Sequence, residues 1–192
     1  MARINKVTKA RKSETERQCY KCEVEIKEGE TYYWIQNRVG NSSARKNFCE
    51  NHPPRPSDIT TSDKLAALYA ARESVEDAMA RTDRDTKRIP FDNYKSGVAS
   101  ALDEAGSEAR SVGEQYRESF DNLPENFQSS SDLEEKADSC DSWADTLDDA
   151  AAEIEGIEPE APEKKNEDGS EDLSAYDEVD ATAQEALDAL EL

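Results

Sequence analysis

Cys19-Tyr20-Lys21-Cys22 and Cys49-Glu50-Asn51-His52, with 26 residues between them, decide how the first third of this chain folds. They use three of the four cysteines and the only histidine. Two close ligand pairs joined by a longer loop are how a protein builds a closed tetrahedral zinc site, each pair on a tight turn that aims two donors at one ion. The spacing therefore predicts Zn²⁺ held by Cys19, Cys22, Cys49 and His52. With all four positions filled by protein, no position stays open for a reacting water. No second histidine remains as a general base, and no Gly-rich phosphate loop or nucleophile motif is present. The expected zinc is structural, and the expected protein is not an enzyme.

The sequence between the pairs reads as a β-hairpin. Thr31-Tyr32-Tyr33-Trp34-Ile35-Gln36 is aromatic and β-branched, Gly40-Asn41-Ser42-Ser43 supplies a turn, and Ala44-Arg45-Lys46-Asn47-Phe48 returns to deliver Cys49. A short strand at Val24-Glu25-Ile26 precedes the Glu28-Gly29-Glu30 turn. Pro53-Pro54 and Pro56 keep a helix from starting on the second ligand pair.

The opening Cys19-Tyr20-Lys21-Cys22, followed by Ile26-Lys27-Glu28-Gly29-Glu30 and the aromatic strand, resembles the zinc finger of poly(ADP-ribose) polymerases. It also resembles a set of uncharacterised small phage proteins, over residues 9–60. The resemblance implies an irregular β-hairpin finger of treble-clef type, with the same four ligands. It also implies recognition of DNA through backbone and stacking contacts, and a phage origin.

Charge divides the chain. Residues 1–60 hold 12 Lys+Arg against 8 Asp+Glu, a balance of +4; residues 61–192 hold 12 against 37, a balance of −25. Such asymmetry suggests two electrostatic roles. Residues 1–17 form a basic arm suited to a phosphate backbone, or a solvated terminus. Arg11, Lys12, Arg38, Arg45, Lys46 and Trp34 are the candidate contacts to DNA or RNA, cations holding phosphates while aromatics stack bases. The alternative is that the strand aromatics pack over the zinc, since a module of residues 18–60 is too small to spare them.

The acidic portion, residues 61–156, reads as helical. Ser62 caps a helix near 62–86 with Leu65, Leu68, Val75 and Met79 on its stripe; Asp92 caps a second, 92–122. Val98, Leu102, Ala105, Ala109, Val112, Tyr116, Phe120 and Leu123 recur at helical spacing before Pro124 and a loop through Gln128. Ser131-Asp132-Leu133-Glu134 is a capping-box signature. From there Leu133, Ala137, Cys140, Ala144, Leu147, Ala151 and Ile154 alternate by four and three, a heptad seam. Two seams joined by a short loop predict an antiparallel helical hairpin, or a coiled coil between two chains of a homodimer. Small alanines allow close approach, and Cys140 reads as core rather than ligand. The acidic outer faces serve solubility, reflect a halophilic source, or mimic DNA toward a basic protein site.

Residues 157–174 are rich in Pro, Glu, Lys, Asp and Gly and predict a disordered linker. Beyond it, Tyr176, Val179, Ala183, Ala186, Leu187 and Leu190 predict a short amphipathic helix over 175–192, which docks on a partner or folds back on the hairpin. Protein partners are thus expected through helices 92–156 and the tail. No apolar run is long enough to span a membrane, and the N-terminus lacks a signal-peptide stretch. Together with zinc-type thiols, these predict an intracellular protein of a reducing cytoplasm. The functional expectation is a non-enzymatic zinc protein binding nucleic acid through its head and proteins through its helices. An acidic adaptor or inhibitor acting only on proteins is the alternative.

Overall fold

A computed structural model describes residues 3–12, 17–39, 42–80, 90–129, 131–158 and 174–189. The chain divides into two compact units, 1–66 and 67–192.

Unit 1 is built on a three-stranded antiparallel sheet in the order β1-β2-β3. The expected hairpin is present as β2 (Tyr32–Val39) and β3 (Ser42–Cys49), which pair from Tyr32 opposite Cys49 to Val39 opposite Ser42. Gly40 and Asn41 of the expected turn lie outside the described residues.

The third strand lies within the basic arm. Asn5–Val7 form β1 and pair with Trp34, Tyr33 and Tyr32 of β2. The segment that follows is also fixed. Ala10 is buried, donates its N–H to Glu30 O at 2.8 Å, and accepts from Gly29 N–H at 2.8 Å. Gly29 has φ +90°, a conformation that side chains disfavour. Alternation sets the two faces of the sheet. Tyr32 joins Ala10 and Ile26 in a small core with Val7, Trp34 and Cys49 around it, while Ile35 and Phe48 are fully buried on the other face. The expected strand at 24–26 is only an isolated bridge, Gln18 to Glu25. One helical turn, α1 (Pro56–Ile59), follows the proline run.

The helices carry the rest. α2 (Asp63–Ala80) begins where Ser62 Oγ accepts the Leu65 N–H at 3.4 Å, the expected cap. It buries Leu68, Ala71, Val75 and Ala78, whose spacing of three, four and three keeps one face. Its expected extension through residue 86 lies outside the described residues.

α3 (Phe91–Asp121) and α5 (Leu133–Gly156) form the predicted hairpin within one chain, joined by a short helical turn, α4 (Glu125–Gln128), where a plain loop was expected. Both N-termini depart from expectation. Pro90 occupies the cap position of α3, its fixed φ suiting a helix start, so Asp92 falls inside the first turn. Asp132 is the cap residue of α5, and Ser131 serves it through its Oγ, which accepts the Leu133 N–H at 3.2 Å.

The seams are largely as read: Val98, Leu102, Ala105, Ala109, Val112 and Tyr116 on α3, and Ala137, Cys140, Ala144, Leu147, Ala151 and Ile154 on α5, are all buried, whereas Phe120, Leu123 and Leu133, toward the connecting turn, are only half-buried. A seven-residue device sets their register. Arg110 reaches Asp145 Oδ1 at 3.1 Å and also Asp148; Arg117 reaches Asp138 Oδ1 at 3.3 Å and also Asp141. As the arginine number rises by seven the aspartate numbers fall by seven, so the helices run antiparallel. Gly106 and Gly113 lie opposite this ladder, where an added Cβ would come within 2.6 Å of Asp148 Oδ1 and 3.0 Å of Asp141 Oδ1. The Lys95 ammonium closes the other end, donating to Glu155 O and Ile157 O at 3.1 Å each, as a cation at a helix C-terminus should. Ile157, assigned to the linker by composition, is buried here. The remaining linker, 159–173, lies outside the described residues.

α6 (Ser174–Asp188) folds back on this hairpin. Val179, Ala183, Ala186 and Leu187 are buried, so its apolar stripe is taken up by the protein's own helices; Leu190 lies outside the described residues. Trp143 Nε1 donates to Ala186 O at 3.1 Å, and the Tyr94 hydroxyl donates to the Asp180 carboxylate. Tyr176 stacks on Tyr94 with ring centroids 5.4 Å apart and meets Phe91 edge-on at 5.1 Å. Arg72 of α2 donates to Leu187 O at 3.4 Å. Among the described residues, no helix is long and apolar enough to cross a membrane.

Candidate metal centre

The first ligand pair sits on a turn held from both sides. Cys19 N–H donates to Val24 O at 2.9 Å, and Glu23 N–H returns to Cys19 O at 2.8 Å. Glu23 adopts a left-handed φ of 58° to close that turn. Tyr20 N–H donates to Asn47 O at 2.7 Å, which fastens the turn to β3. The second pair starts on the last residue of β3, Cys49, and His52 N–H donates back to Cys49 O at 3.1 Å.

These two turns bring Cys19, Cys22, Cys49 and His52 together, with all four donor atoms within 4.8 Å of one another. Cys22 Sγ and Cys49 Sγ are 3.9 Å apart, Cys19 Sγ and His52 Nδ1 3.9 Å, and Cys49 Sγ and His52 Nδ1 3.3 Å. The sulfur separation is far beyond the roughly 2.05 Å of a disulfide, and the cysteines are free. Cys19 is buried, Cys22 and Cys49 half-buried, and His52 exposed. The cluster is thus compatible with a metal ion whose ligands all come from protein. Burial pushes the Cys19 thiol up, but N–H groups of Cys49, Cys22 and Lys21 outweigh it and bring it down to about 6, favouring the thiolate. Burial and the adjacent Cys19 side chain push Cys49 up. Cys140 lies in the α5 seam, outside the cluster.

Of the candidate nucleic-acid contacts, Arg45 and Lys46 face opposite sides of the sheet. Arg45 lies over Trp34, 4.3 Å from the ring centroid, and donates to Tyr32 Oη at 3.0 Å and Asn47 Oδ1 at 3.1 Å. Lys46, the next residue in β3, points to the opposite face, with its Nζ 4.1 Å from the Tyr20 centroid. Arg11 and Lys12 are exposed on the segment after β1. Arg38 is in β2, and its side chain lies outside the described residues.

Sequence reasoning counted Lys6 and Lys9 in the basic arm but did not single them out as contacts; they line a cleft with Arg11, Lys12 and the Glu28–Gly29 turn. It passed over Tyr20, which remains 53% exposed between Lys46 and Phe48. The density of cations over residues 3–12 was the available signal for the first pair; nothing local marks Tyr20. No protein family, curated protein or solved structure matches this chain.

Proposed function

We propose that this chain is a non-enzymatic, zinc-stabilised binding protein whose unit 1 contacts nucleic acid. The carrying observation is the donor geometry. Zinc bonds of about 2.3 Å to sulfur and 2.0–2.1 Å to nitrogen, at tetrahedral angles, require S···S near ~3.8 Å and S···N near ~3.6 Å. Cys22 and Cys49 at 3.9 Å lie close to the first value, His52 at 3.9 Å from Cys19 and 3.3 Å from Cys49 falls on either side of the second, and all four donors lie within 4.8 Å of one another. A Cys3His set leaves no water position, so the ion contributes folding energy rather than chemistry.

The nucleic-acid reading is supported by the cations of the N-terminal segment. Lys6, Lys9, Arg11 and Lys12 project from backbone held by β1 and by the Ala10 hydrogen bonds, so binding does not have to order it. Arg45 over Trp34 adds a cation–aromatic pair suited to a base and its phosphate.

The test is binding of labelled single-stranded and duplex DNA and RNA by the zinc-loaded full chain across a salt series. Affinity should fall steeply with salt, and Lys9→Glu with Lys12→Glu should flatten the slope by about 0.7–0.9 for each phosphate no longer neutralised. Chelation of the metal should abolish binding. No binding at low salt would overturn this reading. It would leave the protein-directed alternative, which the open groove of α5 lined by Glu134, Glu135 and Asp138 favours; charge reversal there would then be the informative change.

A further inference from the structure

Asp58 is one of two buried charged residues among those described, at 5% exposure, and it lies six residues beyond the last metal ligand. A carboxylate is buried at low cost only when it is paired and hydrogen-bonded. Asp58 is both. Its Oδ1 lies 2.9 Å from Lys21 Nζ, and its Oδ2 accepts the Arg55 N–H at 3.0 Å. Lys21 sits between Cys19 and Cys22, in the first ligand turn. Arg55 precedes α1, on the segment that leaves His52 through Pro53 and Pro54. One buried carboxylate therefore bridges the first ligand turn to the chain just past the second.

The bridge addresses a specific weakness of the site. His52 is exposed, and its backbone is tied within the site by its own N–H to Cys49 O. The segment after it is proline-rich and lacks strand pairing. Fixing that segment at Asp58 limits how far His52 can swing from the three sulfurs.

We propose that Asp58 is a positioning residue of the metal centre, and that its pairing with Lys21 holds the two ligand turns at metal-binding separation. This rests on the zinc reading above. Partners beyond the ligand shell that orient ligands typically change metal affinity by 10–100-fold when removed.

The experiment measures zinc affinity of the full chain by competition with a chromophoric chelator. Cobalt(II) spectra serve as a second readout, because their thiolate charge-transfer and ligand-field bands report the donor set directly. Asp58→Asn keeps the shape and an acceptor for Arg55 N–H but removes the charge facing Lys21. It should weaken zinc binding roughly tenfold, with cobalt bands broadened or shifted. Lys21→Met should do the same. The double variant should be little worse than either single one, since both remove the same pair.

Asp58→Asn and Lys21→Met binding zinc as tightly as the parent, with unchanged cobalt bands, would overturn the proposal. So would fully additive losses. A parent chain that binds no zinc would instead overturn the metal reading itself. Should Asp58→Asn fail to fold, exposed Lys21 supplies the same test alone, through Lys21→Met and Lys21→Arg. Retained affinity in Lys21→Arg beside loss in Lys21→Met supports the pair; equal affinity in both overturns it.

Discussion

Gly97 and Gly113 share one helix yet ask for opposite things. An added Cβ at Gly113 would lie 3.0 Å from Asp141 Oδ1, 3.3 Å from Ala137 O and 3.3 Å from Cys140 Cβ, so backbone would have to give. At exposed Gly97 it would meet nothing within 4 Å. Gly113→Ala should therefore destabilise by about 1–2 kcal/mol, overpacking outweighing the propensity gain. Gly97→Ala should stabilise by about 0.5–1 kcal/mol. Urea midpoints of the helical transition distinguish the two; equal effects would mean that the helices are not in close contact at Gly113. At this scale the ligands were legible because metal geometry constrains their spacing in sequence. The Lys21–Asp58 pair was not, since its members lie 37 positions apart and nothing local marks either. Arg45 and Lys46 looked like one patch in sequence because adjacency hides strand alternation.

Among the elements, the seams of α3 and α5 were readable in detail because a heptad pattern states which face is buried. β1 was not readable. Three residues, Asn5-Lys6-Val7, carry too little alternation to register as a strand, and their pairing is decided by the distant edge of β2. α6 was readable as a helix but not in its docking, because an apolar stripe does not name its partner. Trp143 supplies that information through its bond to Ala186 O. Trp143→Phe keeps most of the packing and removes the donor, at a cost of about 1 kcal/mol. Amide exchange in 174–188 should then accelerate roughly fivefold, as 1 kcal/mol implies, while the α3 seam stays protected. Unchanged exchange in α6, or equal acceleration in all helices, would contradict its docking as a separately releasable element.

For the molecule as a whole, the charge division and the proposed nucleic-acid binding together predict opposite responses to salt. Residues 61–192 carry a balance of −25, and exposed pairs such as Arg110 with Asp145 recover little of the repulsion. Screening lengths fall from about 30 Å at 0.01 M salt to about 3 Å at 1 M, so added salt removes carboxylate repulsion across a helix bundle while sparing its apolar seams. The helical melting temperature, followed by far-ultraviolet dichroism, should rise as sodium chloride is added. If the cations of residues 3–12 bind nucleic acid as proposed, affinity of the same preparation should fall, because the counterions they displace gain less entropy as salt rises. A melting temperature that drops with salt would mean that the Arg110 and Arg117 ladders, rather than the seams, hold the hairpin. Substituting Asp145 and Asp138 with Asn separates these terms. Each change relieves repulsion but loosens one exposed arginine contact, so the melting temperature at low salt should barely move if the seams dominate.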